Sequence, residues 1–164
     1  MRESEFSVLL REHAGLLWRI AASYEADPAL RDDLMQDIAV ALWRALPTWR
    51  HEAPLRSFVA RVAHNRGASH VAGQMRRPTT TLLDEQHVDL RHGPDIHTEL
   101  TQDLQRLQAA VRALPLALRQ AVTLALEGFS HAQIADTLGV NTNSVSVRLN
   151  RAKGALKALL GGKS

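Results

Sequence analysis

Apolar side chains recur every three or four residues along most of the chain, with polar ones between them, the signature of amphipathic helices. Phe6, Leu9, Leu10, Leu17, Ile20 and Tyr24 define a first helix, with Arg11, Glu12 and Arg19 off its apolar face. Asp27 followed by Pro28 gives a cap and a pre-set first turn for a helix on which Leu34, Ile38, Leu42 and Ala45 share a face, stopping at Pro47. The loop over 47–54 is bracketed by prolines, and Leu55, Phe58, Val59, Val62 and Ala63 then mark a third helix. Further on, Leu100, Leu104, Leu107, Val111 and Leu114 repeat until Pro115 interrupts them, and Leu118, Val122 and Leu126 continue in another helix.

The sharpest local signals follow Gly128. Ser130-His131-Ala132-Gln133 reads as a capping box opening a short helix to Leu138. Gly139 suits a left-handed turn, and Asn141 can cap a longer helix whose inner face is Val145, Leu149, Ala152, Leu156 and Leu160. This is a helix-turn-helix layout, in which the second helix enters the DNA major groove. Its outward residues are Thr142, Asn143, Ser146, Asn150 and Lys153; Ser and Asn suit base edges, while Arg148, Arg151 and Lys153 suit phosphates. A helical hairpin with a solvated basic face is the blander reading.

Composition narrows the class. Aromatic residues are only 4% of the 164 residues, which disfavours sheet and points to an all-α chain of two helical domains joined by a linker. The absence of cysteine excludes disulfides, thiolate metal sites and a cysteine nucleophile. No stretch approaches the ~20 apolar residues of a membrane span, and the charged N-terminus leads straight into an amphipathic segment, so a cytoplasmic location is expected.

The net charge of +3 conceals three blocks: +2 over residues 1–77, −5 over 78–104 and +6 over 105–164. The last is the footprint of a domain that meets phosphates or an acidic partner. The acidic block lacks a sustained apolar period and is read as the linker, giving domains at 1–77 and 105–164. Its sign would also let it shield a basic lobe.

Taken together, the arrangement resembles the extracytoplasmic-function (ECF) class of bacterial sigma factors, in the sigma-70 family. The resemblance spans most of residues 5–160. It rests on Asp33-Leu34-Met35-Gln36-Asp37 with Leu42-Trp43, on the run from Leu55 through Asn65, and on Leu114-Pro115, Gly128-Phe129-Ser130, Gln133-Ile134-Ala135, Leu138-Gly139-Val140, Val145 and Arg148-Leu149-Asn150-Arg151-Ala152. It implies a first domain that binds core RNA polymerase and opens the minus-ten promoter element, and a second that binds the minus-thirty-five element.

Residue by residue, the resemblance implies polymerase docking through Asp33, Gln36 and Asp37, flanked by Leu34 and Ile38. Minus-ten contacts fall on Arg56, Arg61, Asn65 and Arg66, with Trp49 and His51 in a loop that either forms a base pocket or lids the core; Phe58 is in register with the core. Minus-thirty-five contacts fall on Thr142, Asn143, Ser146, Arg148, Asn150, Arg151 and Lys153. The chain departs from the family pattern at Phe58, often tryptophan, and near Ser69 and His70, often acidic. It departs again at Asn143, Ser146 and Val147, commonly glycine, a basic residue and serine, which shifts the expected base preference.

The implied partners are core RNA polymerase, promoter DNA and an anti-sigma factor. No cofactor, metal or small-molecule substrate is expected: there is no catalytic constellation or phosphate loop, and His87, His92 and His97 with Asp84, Asp89 and Asp95 fit no familiar zinc spacing. The competing reading is a sigma-like mimic that sequesters an anti-sigma factor. An ordinary helix-turn-helix repressor is a third, but it leaves the first domain unexplained.

Overall fold

A computed structural model describes residues 1–76 and 99–161. Among them the chain is helical throughout, with no strand: α1 (Glu3–Glu12), α2 (Ala14–Ala22), α3 (Pro28–Ala45), a 3-10 turn (Leu46–Thr48), α4 (Leu55–Arg76), α5 (Glu99–Arg112), α6 (Leu116–Leu126), α7 (His131–Leu138) and α8 (Thr142–Gly161). The linker histidines and aspartates lie outside the described residues. α5 begins at Glu99, so its first turns fall within the stretch read as linker.

The predicted first helix is two. His13 takes φ −108°, ψ 10° between α1 and α2, and its Nδ1 lies 2.9 Å from the Leu9 carbonyl, where it competes with the backbone for that acceptor. The other local signals form as their chemistry dictates. Asp27 accepts from the Ala29 amide (2.9 Å) ahead of Pro28, and Ser130 and Gln133 exchange the two bonds of a capping box (3.1 and 2.9 Å). Gly139 is left-handed at φ 70°, and Asn141 accepts from the Ser144 amide (2.8 Å) to start α8.

α2, α3 and α4 pack on one another to form the first half, and α8 collects α5, α6 and α7 to form the second. The halves meet where α4 packs on α7. One hydrophobic cluster runs across the join, from Leu17, Ile20, Leu34, Ile38, Leu42 and Val59 to Leu124, Phe129, Ile134 and Val145. A smaller one, Val111, Leu114, Val122 and Ala152, holds α5 and α6 to α8. Leu160, expected on the inner face of α8, is exposed in its last turn.

Polar bonds also cross the join. Gln120 Nε2 donates to the Tyr24 hydroxyl (2.9 Å), and Arg112 donates to the Ala22 carbonyl (2.9 Å), one of the orphan acceptors at the C-terminal end of α2. Burial lowers the pKa of Arg112 from its ordinary value, with Arg31 adding to the effect and Glu25 opposing it.

Candidate nucleic-acid interface

The turn between α7 and α8 fixes which side of α8 faces solvent. Gly139 supplies the backbone reversal, and the Val140 amide returns to the Ala135 carbonyl (3.0 Å). Val145 and Ala152 are buried, which turns Thr142, Asn143, Asn150 and Arg151 outward into solvent. Ser146 and Arg148 are half-buried, and Ser146 Oγ lies 3.4 Å from Nδ1 of His131 at the start of α7. His131 is exposed beside the outward face of α8, a position that its sequence context shows only as part of the capping box. Lys153 sits on the other flank, lining with Lys157 a shallow apolar groove of about 470 Å³ floored by Val122, Leu149, Leu156 and Leu160.

On α3, Asp33, Gln36 and Asp37 lie together on an exposed face, and among the described residues neither aspartate is in an ion pair. Leu34 and Ile38 are a correction to the sequence expectation: both are completely buried in the core between α3, α2 and α4, and offer a partner no surface. The apolar extension of the acidic face comes instead from Val40 (49% exposed) and Trp43 (43% exposed). Phe6 packs edge-on against Trp43, ring centroids 5.1 Å apart, which holds the indole in place.

The four minus-ten candidates on α4 do not form one surface. Arg61 and Asn65 are exposed four residues apart on the same side. Arg56 lies roughly 140° around the helix from Arg61 at 3.6 residues per turn. Arg66 is half-buried, with its Nε shielded and unbonded. In the proline-bracketed loop, the Trp49 indole N–H donates to the Ala53 carbonyl (3.0 Å), and its ring is covered by His51 at 3.9 Å and neighbours Phe58 at 6.2 Å. His51 itself is held at φ 63°, in the left-handed region that a non-glycine residue rarely enters. A base entering this loop would have to displace His51.

Arg56 points at the second half of the molecule. Its Nη2 donates to the Glu127 carbonyl (2.9 Å) and lies 3.5 Å from the Glu127 carboxylate, and its guanidinium covers the Phe129 ring at 4.6 Å. The same carboxylate accepts from Nε and Nη2 of Arg19 (2.5 and 2.9 Å). These bonds hold the Arg19 guanidinium above its ordinary pKa. Sequence reasoning missed Arg19, Glu127 and Phe129, because contacts 71 and 108 residues apart leave no local signal.

No described helix is long and apolar enough to cross a membrane. The family model for sigma-70 region 2 matches residues 9–77, and that for sigma-70 region 4 matches residues 104–156. The chain is 27% identical over 160 residues to RNA polymerase sigma factor NccH of Alcaligenes xylosoxydans xylosoxydans, covering 94% of this chain and 86% of that protein. It is 29% identical over 157 residues to the ECF RNA polymerase sigma factor SigM of Mycobacterium tuberculosis, covering 95% and 77%. Two solved structures share its fold: CnrH in complex with the cytosolic domain of CnrY (TM-score 0.72, 24% identity, 99% of this chain and 92% of that one) and RpoE in complex with the anti-sigma factor NepR from Bartonella quintana (TM-score 0.75, 22%, 98% and 99%).

Proposed function

Because the chain belongs to the sigma-70 family, in its extracytoplasmic-function class, we propose that it joins core RNA polymerase and directs it to promoters, reading a minus-ten and a minus-thirty-five element. The supporting observation is the pairing on one chain of two exposed faces of opposite chemistry. One is Asp33, Gln36 and Asp37 on α3, continued by Val40 and Trp43; the other is Thr142, Asn143, Asn150 and Arg151 on α8.

The acidic face suits cationic helices of the polymerase, where complementary charge speeds encounter and excludes wrong partners. On α8, Asn143 and Asn150 supply amides that both donate and accept at base edges, and Arg148, Arg151 and Lys153 anchor phosphates. Ser146 takes no cation to the duplex, which sets the base preference apart from that of relatives with a basic residue there. In the first domain, Arg61, Asn65, Arg66, Arg56 and the Trp49 loop serve the minus-ten element. Separating the strands costs roughly a few kcal/mol per unstacked step, recovered through backbone cations and a seat for an extruded base.

The protein then has no catalytic step of its own and acts in the compartment that holds polymerase and chromosome, the cytoplasm. Since CnrH is seen in complex with the cytosolic domain of CnrY and RpoE with the anti-sigma factor NepR, an anti-sigma factor is the third proposed partner. The test is transcription in vitro from sheared host genomic DNA by core polymerase with and without the protein, with transcript starts sequenced. New starts that share spaced upstream elements are expected. Tight polymerase binding without new starts would favour the mimic that sequesters an anti-sigma factor.

A further inference from the structure

Residues 105–164 carry eight basic side chains and only two acidic ones, Glu127 and Asp136. Asp136 is exposed, but Glu127 is turned into the join, its side chain 8% exposed, at the C-terminal end of α6. It is therefore the one acidic side chain of this basic half that is seated against the first domain, and it is seated between two arginines. Arg19 engages both its oxygens and Arg56 approaches Oε1 at 3.5 Å while holding the residue's carbonyl.

A guanidinium fork that takes a carboxylate in this way also takes a phosphate, because the two anions present similar pairs of oxygens. The arginines keep 52% and 45% of their side-chain surface in solvent, so the site lies at the edge of the join and a strand can reach it. Solvent around the half-exposed guanidinium groups screens what the pairing contributes to holding the join together. As an occupant of an anion seat the carboxylate is specific.

We propose that Glu127 is an intramolecular competitor for a phosphate-binding clamp formed by Arg19 and Arg56, so that the chain is held off single-stranded DNA by its own carboxylate until the two halves part. This rests on the promoter-binding reading above and adds to it Arg19 as a phosphate-contacting residue and Glu127 as its antagonist. Phe129 belongs to the same device. Stacked under Arg56, it keeps the guanidinium turned towards the second half.

The test uses the full chain and a fluorescein-labelled, mixed-sequence single-stranded DNA 15-mer, followed by anisotropy across a salt series. Glu127→Ala should bind about tenfold more tightly than the parent, and its log–log salt slope should steepen by roughly 0.7 for each phosphate newly held. Glu127→Gln, which preserves shape and a polar contact, should gain less. Adding Arg19→Ala and Arg56→Ala to Glu127→Ala should abolish the gain. Equal affinity and slope in parent and Glu127→Ala, or a mere loss of melting temperature without tighter binding, would overturn the competitor while leaving promoter recognition standing. If neither chain binds the 15-mer nor yields new transcript starts with polymerase, both readings fall together.

Discussion

The Tyr24 hydroxyl lies 2.7 Å from Nδ1 of His64, forty residues further along the chain, and both side chains are buried. Gln120 donates to the same hydroxyl, and Nε2, on the far side of the His64 ring, is buried with no partner. Burial pushes the histidine's pKa down to about 3 and the tyrosine's up.

The consequence is a pH-dependent stability. His64 stays neutral in the native chain but protonates in the unfolded one near pH ~6.5, so its contribution is complete above that value and is lost as pH falls towards the native pKa. Urea unfolding between about pH 6 and 4 should show the parent losing roughly 1 kcal/mol per pH unit more than His64→Gln. Parallel pH profiles would mean that His64 is protonated in the fold.

Tyr24 also dictates Gly67. A Cβ on Gly67 would stand 2.4 Å from Cδ2 and Cε2 of the Tyr24 ring, deep in the join of α2 and α4, where neither backbone can yield cheaply. Gly67→Ala should cost about 2 kcal/mol, a fall in melting temperature of ~4–8 °C. Gly154, on the open face of α8 with nothing within 4 Å, is the control. There, Gly154→Ala should stabilise by about 0.5–1 kcal/mol, because alanine is the better helix former.

What the sequence disclosed and what it hid divide along the range of the interaction. The caps at Asp27, Ser130 and Asn141 and the turn at Gly139 were legible because each is settled within four residues by a side chain meeting its neighbour's backbone. The faces of α3 and α8 were legible from periodicity, and so was the outward display of Asp33, Asp37, Asn143 and Asn150. Periodicity also placed Leu34 and Ile38 on the buried face, which is incompatible with the docking role the resemblance suggested for them. The break at His13 turns on a single side chain capturing a carbonyl, a choice no apolar pattern records. The seating of Arg56 on Glu127 and Phe129 depends on how two separate halves come together, which local sequence does not encode.

Polymerase docking through α3 has a direct test. Asp37 is exposed and lies outside any ion pair among the described residues, so Asp37→Arg changes the sign of the face without removing a native contact. Circular dichroism and melting temperature should match the parent. Affinity for core polymerase, measured by fluorescence polarisation of the labelled protein, should fall about tenfold, mainly through slower association that high salt makes less evident. Trp43→Ala should weaken the same complex through the apolar end of the face, and Leu34→Ala should instead unfold the domain. Unchanged association for Asp37→Arg would move the polymerase contact to another face.

Arg151 discriminates a phosphate anchor from a solvated cation. It is exposed on α8 one residue beyond Asn150, on a face turned away from Val145 and Ala152, and among the described residues it is in no hydrogen bond or ion pair whose loss would disturb the fold. A cation that replaces condensed counterions on duplex DNA contributes about 0.9 to the slope of log affinity against log salt, whereas one that stays in water contributes nothing. Arg151→Ala should therefore weaken binding to a promoter duplex and flatten that slope by about one unit, with little change in the ranking of competing sequences. Asn150→Ala should do the reverse, leaving the slope intact and blurring discrimination between sites. If Arg151→Ala keeps the parent's slope, the backbone is held from the other flank of α8, where Lys153 and Lys157 stand, and the helix enters the groove rotated towards them.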